Sequence, residues 1–313
     1  MKILIIDEMH PSLHDMLKAD GWEYDYEPTL KRAEILEKVG PYEGLIVRSR
    51  TVVDEEFLAK APNLKFIARA GAGLDLIDLD AVYARGIAVF HAGEGNRDAV
   101  GEHVLGMLLA LFNNMIRADR EVRNYTWKRE ANRGVELMGK TVGLIGYGNN
   151  GGATGKRLSG FGCEVLAYDK YRENYGDQYA REASLEEIQD QADIISLHIP
   201  LTRVSHHMIN AAFIDRMAKP FYLVNCARGE VADLAAVVEG LKSGKIKGAC
   251  LDVLENEKLN TLTPAQKEVF EYLIAADNVV LTPHVGGWTH ESYVRINEVL
   301  VRQMREWARQ LSQ

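Results

Sequence analysis

Short apolar runs rich in β-branched residues alternate along this chain with segments whose apolar residues recur every three or four positions. That alternation is the pattern of parallel α/β sheets. In the first part, strands are predicted at Lys2 to Asp7, Glu23 to Tyr26, Gly44 to Arg48, Lys65 to Ala70 and Ile87 to His91. In the second part they are predicted at Thr141 to Gly146, Glu164 to Asp169, Ile194 to Ile199, Tyr222 to Cys226, Gly248 to Val253 and Asn278 to Thr282. Two separate series predict two doubly wound lobes. Between them a long helix is predicted from Asn96 to Met115, with Val100, Val104, Met107, Leu108 and Leu111 on one stripe. A last amphipathic helix starts near Thr289, a residue suited to cap it, and carries Tyr293, Ile296, Leu300, Met304 and Trp307 on its apolar face. No strand follows Thr282 for this helix to cover. It is therefore expected to return to the first lobe and make that lobe discontinuous.

Composition narrows the partners. The chain has 313 residues, 47% of them hydrophobic and 26% charged, which suits two lobes that each bury a core. A net charge of −8 gives no global electrostatic case for nucleic acid or an anionic membrane. The basic stretch Arg117, Arg120, Arg123, Lys128, Arg129 and Arg133 is interrupted by acids and reads as a solvated helix face or subunit contact. Cys163, Cys226 and Cys250 are far apart and show no metal spacing, which fits reduced thiols in a cytoplasm; no metal site is expected. His10 and His14, with Asp7 nearby, read as a surface helix start. The N-terminal apolar run is too short for a signal peptide, and the longest run, Val104 to Phe112, is too short to span a bilayer.

The chemistry is concentrated in one motif first. Gly146-Tyr147-Gly148-Asn149-Asn150-Gly151 follows an apolar strand and opens a helix, and Asp169 ends the next strand. A lone G-x-G-x-x-G is weak, but in this setting it points to a dinucleotide. The glycines make a tight turn that lets backbone approach a pyrophosphate at the helix N-terminus. The Asp169 carboxylate would bind a ribose diol. The motif opens the second series, so the nucleotide lobe is the later one.

Three further blocks carry a resemblance: Leu223 to Glu230 (LVNCARGE), Ala249 to Glu257 (ACLDVLENE) and Leu281 to Gly287 (LTPHVGG). Together with Arg69 to Asp75 and Leu197 to Thr202, they resemble signatures of the NAD-dependent D-2-hydroxyacid dehydrogenases, in order from about Val47 to Trp288. The resemblance implies a Rossmann NAD-binding lobe at 96–284 and a flavodoxin-like substrate lobe built from 1–95 plus 285–313. It also implies a catalytic set of Arg228, Glu257 and His284. Arg228 would grip a substrate carboxylate, His284 would move the hydroxyl proton, and Glu257 would hold the far side of the imidazole. NAD would be met by Gly146, Gly148, Asn149, Asn150, Gly151, Asp169, His198, Pro200, Cys226, Ala227, Arg228, Asp252, His284, Gly286 and Gly287. Gly71, Ala72 and Gly73 would offer backbone N–H groups to the substrate. Taken singly, each of these residues has an ordinary structural explanation; Glu257, for instance, sits in a polar run with Glu255 and Lys258 that is normally just solvated. Three positions depart from the family's usual pattern: Asn150 inside the fingerprint, Leu76 where Asn is common, and Lys258 where Pro follows the glutamate.

Arg48-Ser49-Arg50 ends the third strand and is similar to the phosphoglycerate dehydrogenase branch of this family. A phosphorylated hydroxyacid has two anionic ends, and Arg228 holds only one, so a second basic group across the interlobe cleft makes chemical sense. The expected reaction is NAD-dependent oxidation of 3-phospho-D-glycerate in L-serine biosynthesis. The alternatives are a dehydrogenase of an unphosphorylated 2-hydroxyacid (glyoxylate, hydroxypyruvate or D-lactate type) and an NAD-sensing corepressor-like binding protein. The last helix ends close to the C-terminus, so no serine-sensing domain is expected. The linking helix and the resemblance favour a homodimer.

Overall fold

The structure is a computed structural model that describes residues 1–311. It divides into two compact units, one made of Met1–Asn96 with the segment from Trp288 on, the other of Arg97–Gly287.

The first unit is built on five short strands: β1 (Lys2–Ile5), β2 (Glu23–Tyr26), β3 (Gly44–Val47), β4 (Phe66–Arg69) and β5 (Ala88–His91). All neighbours pair parallel, in the order β2-β1-β3-β4-β5, which is the flavodoxin-like order. The three inner strands are buried because helices cover both faces, so they read as unbroken apolar runs. One face packs Leu4, Leu45 and Ile67 against Ile35, Phe57 and Val82. The other packs Ile3, Ile5 and Phe66 against Leu13, Leu17 and the helix His290–Leu311. That last helix buries Ile296, Leu300 and Met304, and its Trp307 meets the rings of Phe66 and Phe90 at 5.2 and 5.9 Å. Thr289 caps it as expected, its Oγ1 accepting from the Ser292 N–H at 3.0 Å.

The second unit holds seven parallel strands: β6 (Thr141–Ile145), β7 (Glu164–Tyr168), β8 (Arg181–Glu182), β9 (Ile194–Leu197), β10 (Phe221–Asn225), β11 (Ile246–Leu251) and β12 (Val279–Leu281). Their order, β12-β11-β10-β9-β6-β7-β8, is the Rossmann order with one strand added. β8 has no apolar signature, since both its residues are exposed, and the sequence did not reveal it.

The predicted linking helix is two helices, Arg97–Phe112 and Met115–Arg123. Asn114 adopts φ +53 between them, a left-handed conformation that a continuous helix cannot contain. The predicted stripe, Val100 to Leu111, is buried against β6, β10 and β11. Gly101 allows close packing on the helix Asn149–Leu158, because a Cβ there would lie 3.0 Å from the Ala153 backbone. No single described helix is long and apolar enough to cross a membrane.

Candidate active site

In parallel α/β sheets ligands bind beyond the carboxyl ends of the strands, at the point where strand order reverses. In the seven-stranded sheet that point lies between β6 and β9, and the glycine fingerprint stands there. Gly146 has φ +95, and a Cβ on it would lie 2.7 Å from the His198 carbonyl. A Cβ on Gly151 would lie 2.1 Å from the Gly146 carbonyl, so only glycine closes this turn. Gly148 precedes the helix Asn149–Leu158 and faces open space. A hollow of about 540 Å³ lies beside this helix start, lined in part by Gly148, Asn149, Gly152, Arg172 and Tyr179.

Asp169 follows β7, its carboxylate accepting from the N–H groups of Tyr147 at 3.1 Å and Tyr171 at 3.0 Å. Arg172 donates to the Tyr147 carbonyl. His198 has one ring nitrogen against Ser196 Oγ at 2.9 Å, while its buried Nδ1 has no partner among the described residues. Burial lowers its pKa to about 4, so the ring is neutral near pH 7. Asn150 leaves the helix–sheet contact intact, because Gly151, Ala153, Gly155 and Leu158 form the buried face. Its own buried Oδ1 is unpartnered among the described residues. A crowded glycine turn, a helix start over a hollow and an acid at the end of the second strand fit a dinucleotide.

Arg228, Asp252 and His284 follow β10, β11 and β12. Buried Asn225 shapes the first loop: its Oδ1 accepts from the Ala227 N–H at 3.0 Å and its Nδ2 donates to the Arg228 carbonyl at 2.9 Å. Arg228 Nη1 donates to the Ala227 carbonyl at 2.7 Å. Cys226, beside Ala227, has its thiol pushed well up by burial and the nearby Asp252 charge, so it is no nucleophile.

Asp252 organises the turn that presents His284. It is 2% exposed, and its carboxylate accepts from Thr282 Oγ1 at 2.6 Å and from the N–H groups of Val285 and Gly286 at 2.9 and 2.8 Å. His103 Nε2 lies 3.4 Å away. Burial pushes the Asp252 carboxyl up, but His103 and these donors outweigh it and hold the group below the ordinary carboxylate range. The His284 N–H donates to the Asp252 carbonyl at 2.7 Å, and the residue is held at φ +55, a strained conformation for a histidine.

The imidazole Nδ1 meets Glu257 Oε1 at 2.8 Å and Oε2 at 3.1 Å. That hydrogen bond raises the His284 pKa above its ordinary value, against partial burial and the Arg228 charge. With Nδ1 occupied, Nε2 is left to face a reacting proton. Lys258 does not leave the loop slack. Its N–H, which a proline would lack, donates to Asn256 Oδ1 at 3.0 Å, and its carbonyl accepts from Thr261 Oγ1 at 2.8 Å.

In the first unit the order reverses between β1 and β3, and Asp7, Arg48 and Arg50 stand there. Asp7 is 2% exposed and accepts from the Arg48 N–H at 2.6 Å. Arg50 Nε lies 3.0 Å from Asp7, and its Nη2 donates to the carbonyls of Ile6 and Leu30 at 3.0 and 3.1 Å. The Arg48 guanidinium lies 3.8 Å from the centre of the Trp288 ring and 5.2 Å from that of Tyr293. Ser49 is exposed. Gly71 has φ +150, and its N–H donates to the Arg69 carbonyl at 2.9 Å, so that group is already used. A Cβ on Gly71 would meet the Arg69 guanidinium at 1.6 Å, which shows Arg69 draped over this turn with Ala72 and Gly73 beyond it. The Leu76 carbonyl accepts from the Val53 N–H at 2.7 Å, a backbone role that does not depend on the missing Asn side chain.

Residues 105–286 match the family model described as "D-isomer specific 2-hydroxyacid dehydrogenase, NAD binding domain". The chain is 34% identical over 313 residues to a D-3-phosphoglycerate dehydrogenase of Archaeoglobus fulgidus, covering 99% of this chain and 58% of that protein. It is 37% identical over 275 residues to a hydroxypyruvate reductase of Thermotoga maritima, covering 88% of each. Among solved structures it is similar to D-lactate dehydrogenase from Aquifex aeolicus complexed with NAD and lactic acid. The TM-score is 0.85 at 30% identity, covering 99% of this chain and 96% of that one. The chain belongs to the D-isomer specific 2-hydroxyacid dehydrogenase family, and its second unit is the NAD-binding domain. It spans little more than half the length of the phosphoglycerate dehydrogenase it matches.

Proposed function

We propose that this chain catalyses the NAD-dependent oxidation of 3-phospho-D-glycerate to 3-phosphohydroxypyruvate, the entry to L-serine, and the reverse reduction. The observation that supports the dehydrogenase chemistry is the His284 Nδ1–Glu257 contact at 2.8 Å, on the same sheet edge as Arg228, and the one that favours a phosphorylated acid is Arg48 at the switch point of the first unit. NAD, when bound, takes or supplies the hydride at the substrate's C2. It would be held by Gly146, Gly148, Asn149, Asn150 and Gly151 at the helix start, by Asp169, and by His198, Pro200, Cys226, Ala227, Arg228, Asp252, His284, Gly286 and Gly287 along the remaining strand ends.

Arg228 binds the substrate carboxylate and polarises the C2 oxygen. In the oxidative direction His284 takes the C2 hydroxyl proton at Nε2; in the reductive direction it returns one to the forming alkoxide. Glu257 fixes the tautomer and stabilises the imidazolium. Ala72 and Gly73 offer N–H groups to the carboxylate. The first unit is the substrate-binding domain, and Arg48 selects for phosphate: its guanidinium rests on the Trp288 and Tyr293 rings and has no acid partner among the described residues, whereas Arg50 is engaged by Asp7.

A second reading is an unphosphorylated 2-hydroxyacid as substrate. It is favoured by the hydroxypyruvate reductase of Thermotoga maritima, which matches over 88% of both lengths. Following NADH absorbance with 3-phosphohydroxypyruvate, hydroxypyruvate, glyoxylate and pyruvate decides between them. The first reading expects the highest kcat/KM with the phosphorylated acid. Absence of turnover with all four, while NADH still binds, would leave a nucleotide-sensing role.

The working form is a homodimer. Met115, Ile116, Val122, Tyr125 and Trp127 are all exposed on and just after one helix, an apolar surface that a second copy would cover. Sedimentation analysis tests this. The basic side chains nearby pair with acids, among them Arg120 with Asp277 and Arg123 with Asp119. They offer no nucleic-acid surface on this reading. The three free thiols suit the reducing cytoplasm.

A further inference from the structure

Two residues before Glu257, Glu255 stands in the polar run that the sequence presents as ordinary solvated surface. It is instead engaged at both carboxylate oxygens by groups from outside its loop. Its Oε1 lies 2.6 Å from His207 Nε2, and its Oε2 accepts from the Leu234 N–H at 3.2 Å, at the start of the helix Leu234–Ser243. His207 reaches it from a turn held at φ +49. The His207 N–H donates to the Glu230 carbonyl at 2.8 Å, two residues past Arg228. His206 stacks on the His207 ring at 4.1 Å.

The backbone of the same loop is pressed on the Arg228 loop. A Cβ on Gly229 would lie 1.9 Å from the Leu254 carbonyl oxygen and 2.5 Å from the Glu255 nitrogen, so only glycine permits this contact. Behind the loop the packing is incomplete, although Leu254 and Val269 touch the core. A hollow of about 230 Å³ lies there, lined by Leu234, Leu254, Leu262, Val269 and Phe270 among others. Apolar packing alone therefore does not fix the segment, and its polar contacts add the rest.

We propose that the His207–Glu255 pair is a positioning element of the reaction: it pins the loop so that Glu257 stays on His284 while the Arg228 loop stays seated against it. The proposal rests on the reading of His284 as the proton-moving group. His284 is faced by Glu257, Arg228 and Asp252, and only the first of these sits on the pinned loop. Loss of the clamp acts on the imidazole first through Glu257, the group that hydrogen-bonds it.

The experiment is a reductive kcat/KM pH profile for wild type, Glu257→Gln, Glu255→Ala, His207→Gly and the His207→Gly/Glu257→Gln double variant. His207→Gly removes the imidazole at a positive φ that glycine adopts freely, so it spares the fold even if Glu255→Ala does not. Glu255→Ala and His207→Gly should each lose on the order of tenfold to a hundredfold in kcat/KM, the usual cost of displacing a reacting group. Their basic limb should move to lower pH, toward that of Glu257→Gln. The double variant should keep the limb of Glu257→Gln unchanged. A limb that moves in Glu257→Gln but stays at the wild-type pH in both clamp variants overturns the positioning role alone. A limb that moves in none of them overturns the roles of His284 and Glu257, and this proposal with them.

Discussion

At the strand ends of the seven-stranded sheet, backbone approaches backbone so closely that Gly146, Gly151 and Gly229 admit no side chain. The charged groups there are fixed by close polar partners: Asp252 by four donors, His284 by Glu257, and the Arg228 loop by Asn225. The corresponding edge of the five-stranded sheet is built differently. Its arginines end strands or open loops, Arg50 is tied to a buried acid, and Arg48 rests over an exposed aromatic ring. A backbone-defined edge suits a cofactor and a reaction that do not vary. A side-chain-defined edge can change its ligand with one substitution. On the proposed function, the chemistry lies in the second unit and the choice of acid in the first.

The largest effects should come from the second unit and should ignore the substrate. Arg228→Ala and His284→Ala are expected to fold and to lose most turnover, with acid–base help alone worth about 10²–10⁴-fold. Steady-state rates on a phosphorylated and an unphosphorylated ketoacid check this; a folded His284→Ala enzyme with near-normal kcat removes the residue from the mechanism. Cofactor choice comes next. Asp169 should repel a 2′-phosphate and favour NAD over NADP by roughly tenfold or more in kcat/KM. Equal values would mean that Arg172, close to the same strand end, neutralises it.

Smaller effects divide the two arginines of the first unit. Arg50→Ala should cost about 1–2 kcal/mol in denaturant unfolding, because it takes a charged partner from buried Asp7. It should leave the ratio of kcat/KM for phosphorylated over unphosphorylated acid unchanged; a collapsed ratio would assign phosphate to Arg50. The subtlest expectation concerns pH. Reduction needs His284 protonated and oxidation needs it neutral. The reductive rate should therefore fall, and the oxidative rate rise, as pH climbs through a pKa that Glu257 holds above the ordinary histidine value. Glu257→Gln should move both limbs to lower pH, and unmoved limbs would deny the coupling.

Much of this was legible in the sequence, for identifiable reasons. Buried parallel strands must be apolar on both faces, so β1, β6 or β10 announce themselves, whereas exposed Arg181–Glu182 carries no such signal. The break at Asn114 was hidden because an apolar stripe does not report a single left-handed residue. The family resemblance pointed to Arg228, Glu257 and His284, and the fold brings Glu257 to His284, but the resemblance could not give their supports. His103 lies 149 residues from Asp252, His207 lies 48 from Glu255, and Asn225 reads as an ordinary strand residue. Arg69 was equally silent, because only its fold over Gly71 distinguishes it from any strand-end arginine. Such pairings exist only once the chain is folded.

The comparison between the two edges is tested most directly by one substitution read on two substrates. In Arg48→Ala, kcat/KM for 3-phosphohydroxypyruvate should fall by a charge-assisted hydrogen bond, about 1.5–3 kcal/mol or roughly 10- to 150-fold. The value for hydroxypyruvate should stay close to wild type. Equal losses on both acids, or a wild-type enzyme that prefers hydroxypyruvate, would contradict the account.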